Sequence, residues 1–504
     1  DTITFAATTP GMGKVRLLGG IAGSSDSWAV IGHVGRDSGG TKTGLIDVKA
    51  VDDIDVLAGN GARAFAMIGH GGRSSDGTNG GSITLTSLSG NLTVSGGSGS
   101  SESYAQVGHG GGANFTGGGS DGTKSGIITI EVGGDVDLNG GNGSGSEKYA
   151  QVGHGGARSI GSKSDDIFVT AGGNITGNGG TSSNAYTQLG HGGYLATGSA
   201  TGNIKLLAGG NIGFVGNNSN AYAQVGHGGI GGTGNHSGWI SMRAGFNAAD
   251  LFDFTAPGTI TFQGGTGNDS YAQAGHGGYQ ARGDHSGRLE MLATGDITIA
   301  GNIGDRAYAQ LGHGGFDADE VDGDSASAGN SGQITLASVS GGLNLTGGSF
   351  SATEAGSYAQ VGHGGAFTMG ANNGNIVGRF GGDVNIAGGS GVDAYAQFGH
   401  GGIDADADIG HSGRIVLSSG TLAETIEAGQ PGAVNGAQDL AIPGSRVFAD
   451  IFDVNMDGSI TAADVVTVQN NTTNGLKVGD LTSGTQAYSQ IGHGGLDADG
   501  DHGS

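Results

Sequence analysis

There is no cysteine in the chain, so disulfides, thiolate metal centres and haem attached through paired cysteines are excluded. Proline occurs four times and no G-X-Y period is present, which removes a collagen-like helix in spite of 116 glycines. Aromatic residues make up only 6% and charged residues only 13% of the 504 positions, an unusual composition for a globular enzyme. No apolar run approaches the roughly eighteen residues of a membrane helix, and no membrane insertion is expected. The opening DTITFAATTP has neither the charged nor the hydrophobic part of an export signal, so any such signal is expected outside these residues. Basic residues are few as well, 20 against 45 acidic ones. The resulting charge of −25 repels nucleic acid and anionic membrane and attracts cations.

What the chain has in abundance is one phrase. YAQVGHGG begins at Tyr104, Tyr149, Tyr222 and Tyr358, and close variants begin at Tyr186, Tyr271, Tyr308, Tyr395 and Tyr488. Two divergent copies, WAVIGHVG from Trp28 and FAMIGHGG from Phe65, precede them. The interval between successive motif histidines is near 37 residues with occasional insertions, the signature of a stacked-repeat protein. Ahead of each motif lie short apolar alternations broken by glycine, as in GSITLTSLSGNLTVSGG and GIITIEVGGDVDLNGG. These read as strands, three per unit with the motif segment itself. Eleven such units predict an all-β parallel β-helix, or β-solenoid, with glycines at the corners and small aliphatic side chains inside. A propeller has a similar period, but its blades need four strands.

The pattern in GNIKLLAGGNIGFVGN, from Gly202, resembles the repeats of filamentous-haemagglutinin-type bacterial surface proteins, and the resemblance covers most of residues 1–420. It implies a secreted right-handed β-helix with an adhesive or fibre-forming role. The YAQ-x-GHGG segment is not part of that family's pattern. Alternation places Tyr104 and Gln106 on one face and Ala105 and Val107 on the other. The apolar pair is expected inside, with tyrosines and glutamines outside as two axial columns, the amides hydrogen-bonding to one another. Each histidine, flanked by glycine, is expected to bond neighbouring backbone. A metal-binding imidazole column is the alternative, though a metal site also needs three or four convergent ligands.

Two groups of carboxylates point to calcium. DVNMDGSITAAD places oxygen ligands at loop positions 1, 3 and 5 (Asp453, Asn455, Asp457), glycine at 6, the Ser459 carbonyl at 7 and Asp464 at 12. That spacing wraps one hard cation, Ca2+, in oxygen. The loop resembles that of dockerin modules, with AADVVTVQNN as the following helix; dockerins carry two such loops, and one is found here. The second group follows GHGG: Asp317 and Asp319 (with Asp322 and Asp324 beyond them), then Asp404, Asp406 and Asp408, then Asp497, Asp499 and Asp501. Carboxylates spaced this way repel unless a cation joins them; a solvated acidic loop is the other reading. The organisation is repeats over 1–420, an insertion with the calcium loop over 421–487, and a last repeat over 488–504.

Three functions compete: an extracellular structural or adhesive solenoid, a polysaccharide-active β-helix enzyme, and a metal- or electron-carrying fibre using the histidines. An enzyme concentrates its chemistry in one cleft, whereas here the features recur evenly, so no catalysis is expected. The adopted reading is a calcium-stabilised fibre or adhesin at the cell surface. Its expected partners are further copies of itself, stacked head to tail, and cell-surface or matrix glycans. A monomeric window of a longer adhesin fits the same repeats.

Overall fold

A computed structural model of the chain describes residues 2–7, 9, 13–21, 24–33, 36–112, 121–246, 256–318, 329–349, 356–405, 410–419, 467–469, 476–478 and 488–494. All regular structure among these residues is β, arranged in four parallel sheets of 12, 11, 11 and 10 strands. Each of the first ten coils contributes one strand to every sheet; the last adds a strand to the first three, and one further strand, Thr467–Gln469, extends the first sheet. The coil that carries Tyr104 supplies Ile83–Ser87, Leu92–Ser95, Ala105–Val107 and Lys124–Ser125. The chain is thus a parallel β-solenoid. The fourth strand is the departure from the expected three: it is two residues long, too short to show alternation in a sequence.

Alternation acts as expected in the first two sheets. Ile83, Leu85 and Ser87 point inward while Thr84 and Thr86 are half-buried, and Leu92 and Val94 repeat the pattern. Stacking is in register, so like lies on like: Ile83 pairs with Ile128, Ile128 with Ile167, Ile167 with Ile204 and Ile204 with Ile240. These side chains and those of Ala105 and Val107 form one continuous apolar core along the axis. The turn between the first two strands is locked by a side-chain ladder. The Asp53 carboxylate accepts the Asn91 backbone N–H at 3.0 Å, Asn91 accepts that of Asp135 at 2.7 Å, and Asp135 accepts that of Asn174 at 2.6 Å. A one-residue slip would break every rung, which explains why Asp or Asn recurs after the turn glycine.

The third sheet has both faces covered along all but its two end strands. Ala105, Gln106 and Val107 are all buried, as are their counterparts in the neighbouring coils. Its outer face is roofed by the segment running from GHGG to the fourth strand, which encloses a second cluster made of Phe65, Met67 and the motif tyrosines. The expected outward position of Tyr104 and Gln106 is therefore corrected: both are buried, in a chamber beside the main core. Thr467–Gln469, inside the segment read as a helix after the calcium loop, is a strand paired with Val416–Ser418. Leu476–Val478 pairs with Val384–Ile386, so the second strand of the last coil, whose first is Ile415–Ser419, lies within the stretch read as an insertion.

Candidate functional site

The chamber over the third sheet gathers the tyrosines and glutamines of the repeated motif, with its histidines beside them. Trp28, Phe65 and nine tyrosines from Tyr104 to Tyr488 form one stacked aromatic column, with ring centroids 4.7–5.7 Å apart and planes within 12° of parallel. The spacing is that of the parallel strands that carry them. Beside it the motif imidazoles stack at 4.7–5.0 Å from His33 to His493.

The glutamines tie the columns to the backbone. Gln224 Nε2 donates to the carbonyls of Gly275 and Gly277, both at 3.0 Å and both in the next coil. Its Oε1 accepts the Tyr271 hydroxyl at 3.3 Å. The same arrangement joins Gln310 to Gly362 and Tyr358, and Gln360 to Gly399 and Tyr395. The expected amide-to-amide ladder is thus replaced by amide-to-carbonyl bonds, because glycine leaves the next coil's carbonyls open to a side chain. Replacing Gln224 with alanine strands the Gly275 carbonyl and takes the acceptor from the Tyr271 hydroxyl in a buried chamber, while Gly277 keeps the Gly229 N–H. An expected loss of about 3 kcal/mol or more follows from the cost of unpaired buried polar groups, measured as a shift in the denaturant midpoint. A loss below about 1 kcal/mol would show that the chamber repacks or admits water.

Ten of the eleven imidazoles, all but His33, are bonded at both nitrogens. His276 Nδ1 accepts the backbone N–H of His227 at 3.0 Å, and His276 Nε2 lies 2.9 Å from the Gly238 carbonyl. Ten histidines from His70 to His493 repeat this pair of contacts, at 2.9–3.2 Å and 2.6–3.1 Å. A backbone N–H only donates, so Nδ1 must carry the lone pair and Nε2 the proton; the ring is neutral and its tautomer is set. Burial holds His154, His227 and His363 down to about 4, and the other fully enclosed members also lie well below the ordinary value. Neither nitrogen of these rings is open to a metal or able to relay a proton. The backbone-bonded reading of the histidines holds, and the imidazole column supplies no ligand set.

A third polar column was not legible in the sequence. The inward residue of the fourth strand is Asn79, Lys124, Lys163, Ala200, His236, His285, Asn330, Asn372 or His411, all buried against the GHGG glycines. Lys163 Nζ donates to the carbonyls of Ser159 and Thr197, and burial lowers its pKa to about 7. Lys124, similarly held by Gly122 and Ile160, is lowered to about 8. Its residue type varies from coil to coil, which is why no repeat announced it.

Of the carboxylates expected to bind calcium, Asp317 and Asp404 are described. Both lie on left-handed backbone after GHGG, at φ 54° and 51°. Asp317 is half-buried and accepts Gln280 Nε2 at 2.8 Å, whereas Asp404 is exposed. Asp319, Asp406, Asp408, Asp497, Asp499 and Asp501, and the loop of Asp453, Asn455, Asp457, Ser459 and Asp464, lie outside the described residues. Among the described residues no group of three or more histidines and carboxylates is arranged to hold a metal ion, and no helix is long and apolar enough to cross a membrane. In comparisons with known proteins, no family model, no curated protein and no solved structure matches this chain.

Proposed function

We propose that the chain is a structural rod, an extracellular β-solenoid that serves as the shaft of a surface fibre or adhesin. One observation carries this reading. The side chains that recur most often, and that would do chemistry elsewhere, spend their polar groups on neighbouring coils: glutamine on glycine carbonyls of the next coil, histidine at both nitrogens on backbone of the preceding one. Repetition here serves axial cohesion. Eleven coils at the spacing of parallel strands make a shaft about 50 Å long. Thr2–Ala7 and Ser489–Ile491 each pair on one side only among the described strands. Such edges are completed by further coils of the same repeat, in the same polypeptide or in a second copy, and the second case is head-to-tail growth into an open filament. The dockerin-like loop supplies the expected calcium dependence, and the solvent faces of the first two sheets are the surfaces offered to cell-surface or matrix glycans.

Negative-stain microscopy of the purified chain, with light scattering over a range of concentrations, tests the reading. Rods that lengthen with concentration in whole multiples of the single shaft are expected. Turnover of an acidic polysaccharide by the same preparation would overturn it, and a strictly monodisperse single rod would overturn self-assembly.

A further inference from the structure

Two positions in each coil sit beside the tyrosine column on left-handed backbone: the second residue before the tyrosine and the fourth after the histidine. In the coil of Tyr149 and His154 these are Glu147 (φ 58°) and Arg158 (φ 59°), which form an ion pair at 2.8 Å. In the coil of Tyr395 and His400 the same two positions hold Asp393 (φ 52°) and Asp404 (φ 51°). Elsewhere the acid before the column's aromatic ring finds a guanidinium from a neighbouring coil: Asp26 meets Arg63 at 2.6 Å, Asp269 meets Arg306 at 2.5 Å, and Glu102 meets Arg73. Asp393 has a second carboxylate in place of one. It is 7% exposed, and its Oδ1 is buried with no hydrogen-bond partner among the described residues. Its pKa is raised, first by burial and then by Asp404.

We propose that Asp393 and Asp404 bridge a divalent calcium ion, which occupies the place that the Arg158 guanidinium takes beside Glu147. Both donors are hard carboxylate oxygens, which selects Ca2+ over transition metals. Aspartate is shorter than either member of the Glu147–Arg158 pair, so the same backbone positions leave room for an ion between the two carboxylates. Exposure of Asp404 lets water complete a shell of about six to eight oxygens. With only two protein carboxylates the affinity belongs to the weak class, about 10⁻⁴–10⁻³ M, suited to extracellular calcium; only the supply of the ion rests on the extracellular reading.

The test uses the whole chain carrying Asp457→Ala, which disables the dockerin-like loop. Titrating Ca2+ while following thermal melting should raise the midpoint with half-saturation in the millimolar range. Asp393→Asn and Asp404→Asn should each weaken that response about tenfold or more, by removing one of the two charged ligands. Asp404→Arg should abolish it and raise the calcium-free midpoint above that of the parent, because it rebuilds the Glu147–Arg158 pair at a site whose backbone already accepts arginine. A calcium response that survives Asp404→Arg places the ion elsewhere and overturns the proposal. A flat parent titration does the same. Neither result bears on axial assembly, which microscopy reads independently.

Discussion

Acidification from pH 7 to about 4.5 should unfold this protein cooperatively, while most of its aspartates are still ionised. Nine histidines of the column, His70 through His400, are held by burial below the ordinary value of 6.5. Above pH 6.5 they are neutral in both folded and unfolded chains and stability is complete. Below it the unfolded chain takes up protons that the folded chain refuses, so stability falls until the folded pKa, about 4 for His154, His227 and His363, is reached. Each of those three contributes a loss of about 3 kcal/mol over that window, and a domain's whole stability is about 5–15 kcal/mol. Protonating Nδ1 would also set one N–H against another, since the backbone N–H already points at that atom. Glu147 and Asp393, raised by burial, act in the opposite sense but are two groups against nine. Asp26 and Asp53 are lowered, Asp26 first by its bond to Arg63 and Asp53 first by the Asn91 backbone N–H, and they add to the loss only at still lower pH. Far-ultraviolet circular dichroism against pH reads the transition. An unchanged sheet signal and melting midpoint at pH 4.5 would mean that the chamber admits water and the rings titrate normally.

Gly226→Ala should prevent folding altogether, while Gly213→Ala should be tolerated. Gly226 has φ +150°, and a Cβ there would stand 1.9 Å from the Gly275 carbonyl oxygen of the next coil. The obstacle is backbone, and that backbone cannot retreat: Gly275 N–H is bonded to the Val225 carbonyl at 2.9 Å and its own carbonyl accepts Gln224 Nε2 at 3.0 Å. Gly69, Gly108, Gly153, Gly190 and Gly275 repeat the contact at 1.8–2.0 Å, so the first glycine of GHGG marks a closest approach between coils. A loss above about 4 kcal/mol belongs to this kind of overpacking. Gly213 faces outward from the second sheet, and a methyl group there would meet nothing within 4 Å. Alanine at that position should be neutral or stabilise by up to about 1 kcal/mol through the unfolded chain. Soluble expression and thermal melting of the two variants give the comparison. Equal midpoints would contradict the stacked geometry of the third sheet.

The coil is written in the order of the residues. A period near 37 with alternation at Ile83, Leu85, Leu92 and Val94 leaves parallel in-register stacking as the arrangement that buries those side chains together, because alternation is a local property of extended backbone. The glycine-flanked histidines also pointed to backbone bonding. The remainder depends on contacts between coils. Alternation separates Gln106 from Val107 but cannot tell whether the second face meets water or a roof, and the roof ends in a two-residue strand, Lys124–Ser125, too short to carry a pattern. The tautomer and depressed pKa of His276 depend on the His227 N–H and the Gly238 carbonyl, 49 and 38 residues away along the chain. Asp393 and Asp404 look unrelated in the sequence, eleven positions apart on either side of a buried strand. Only the closed coil, which returns the chain beside the tyrosine it has just passed, sets their two charges against each other.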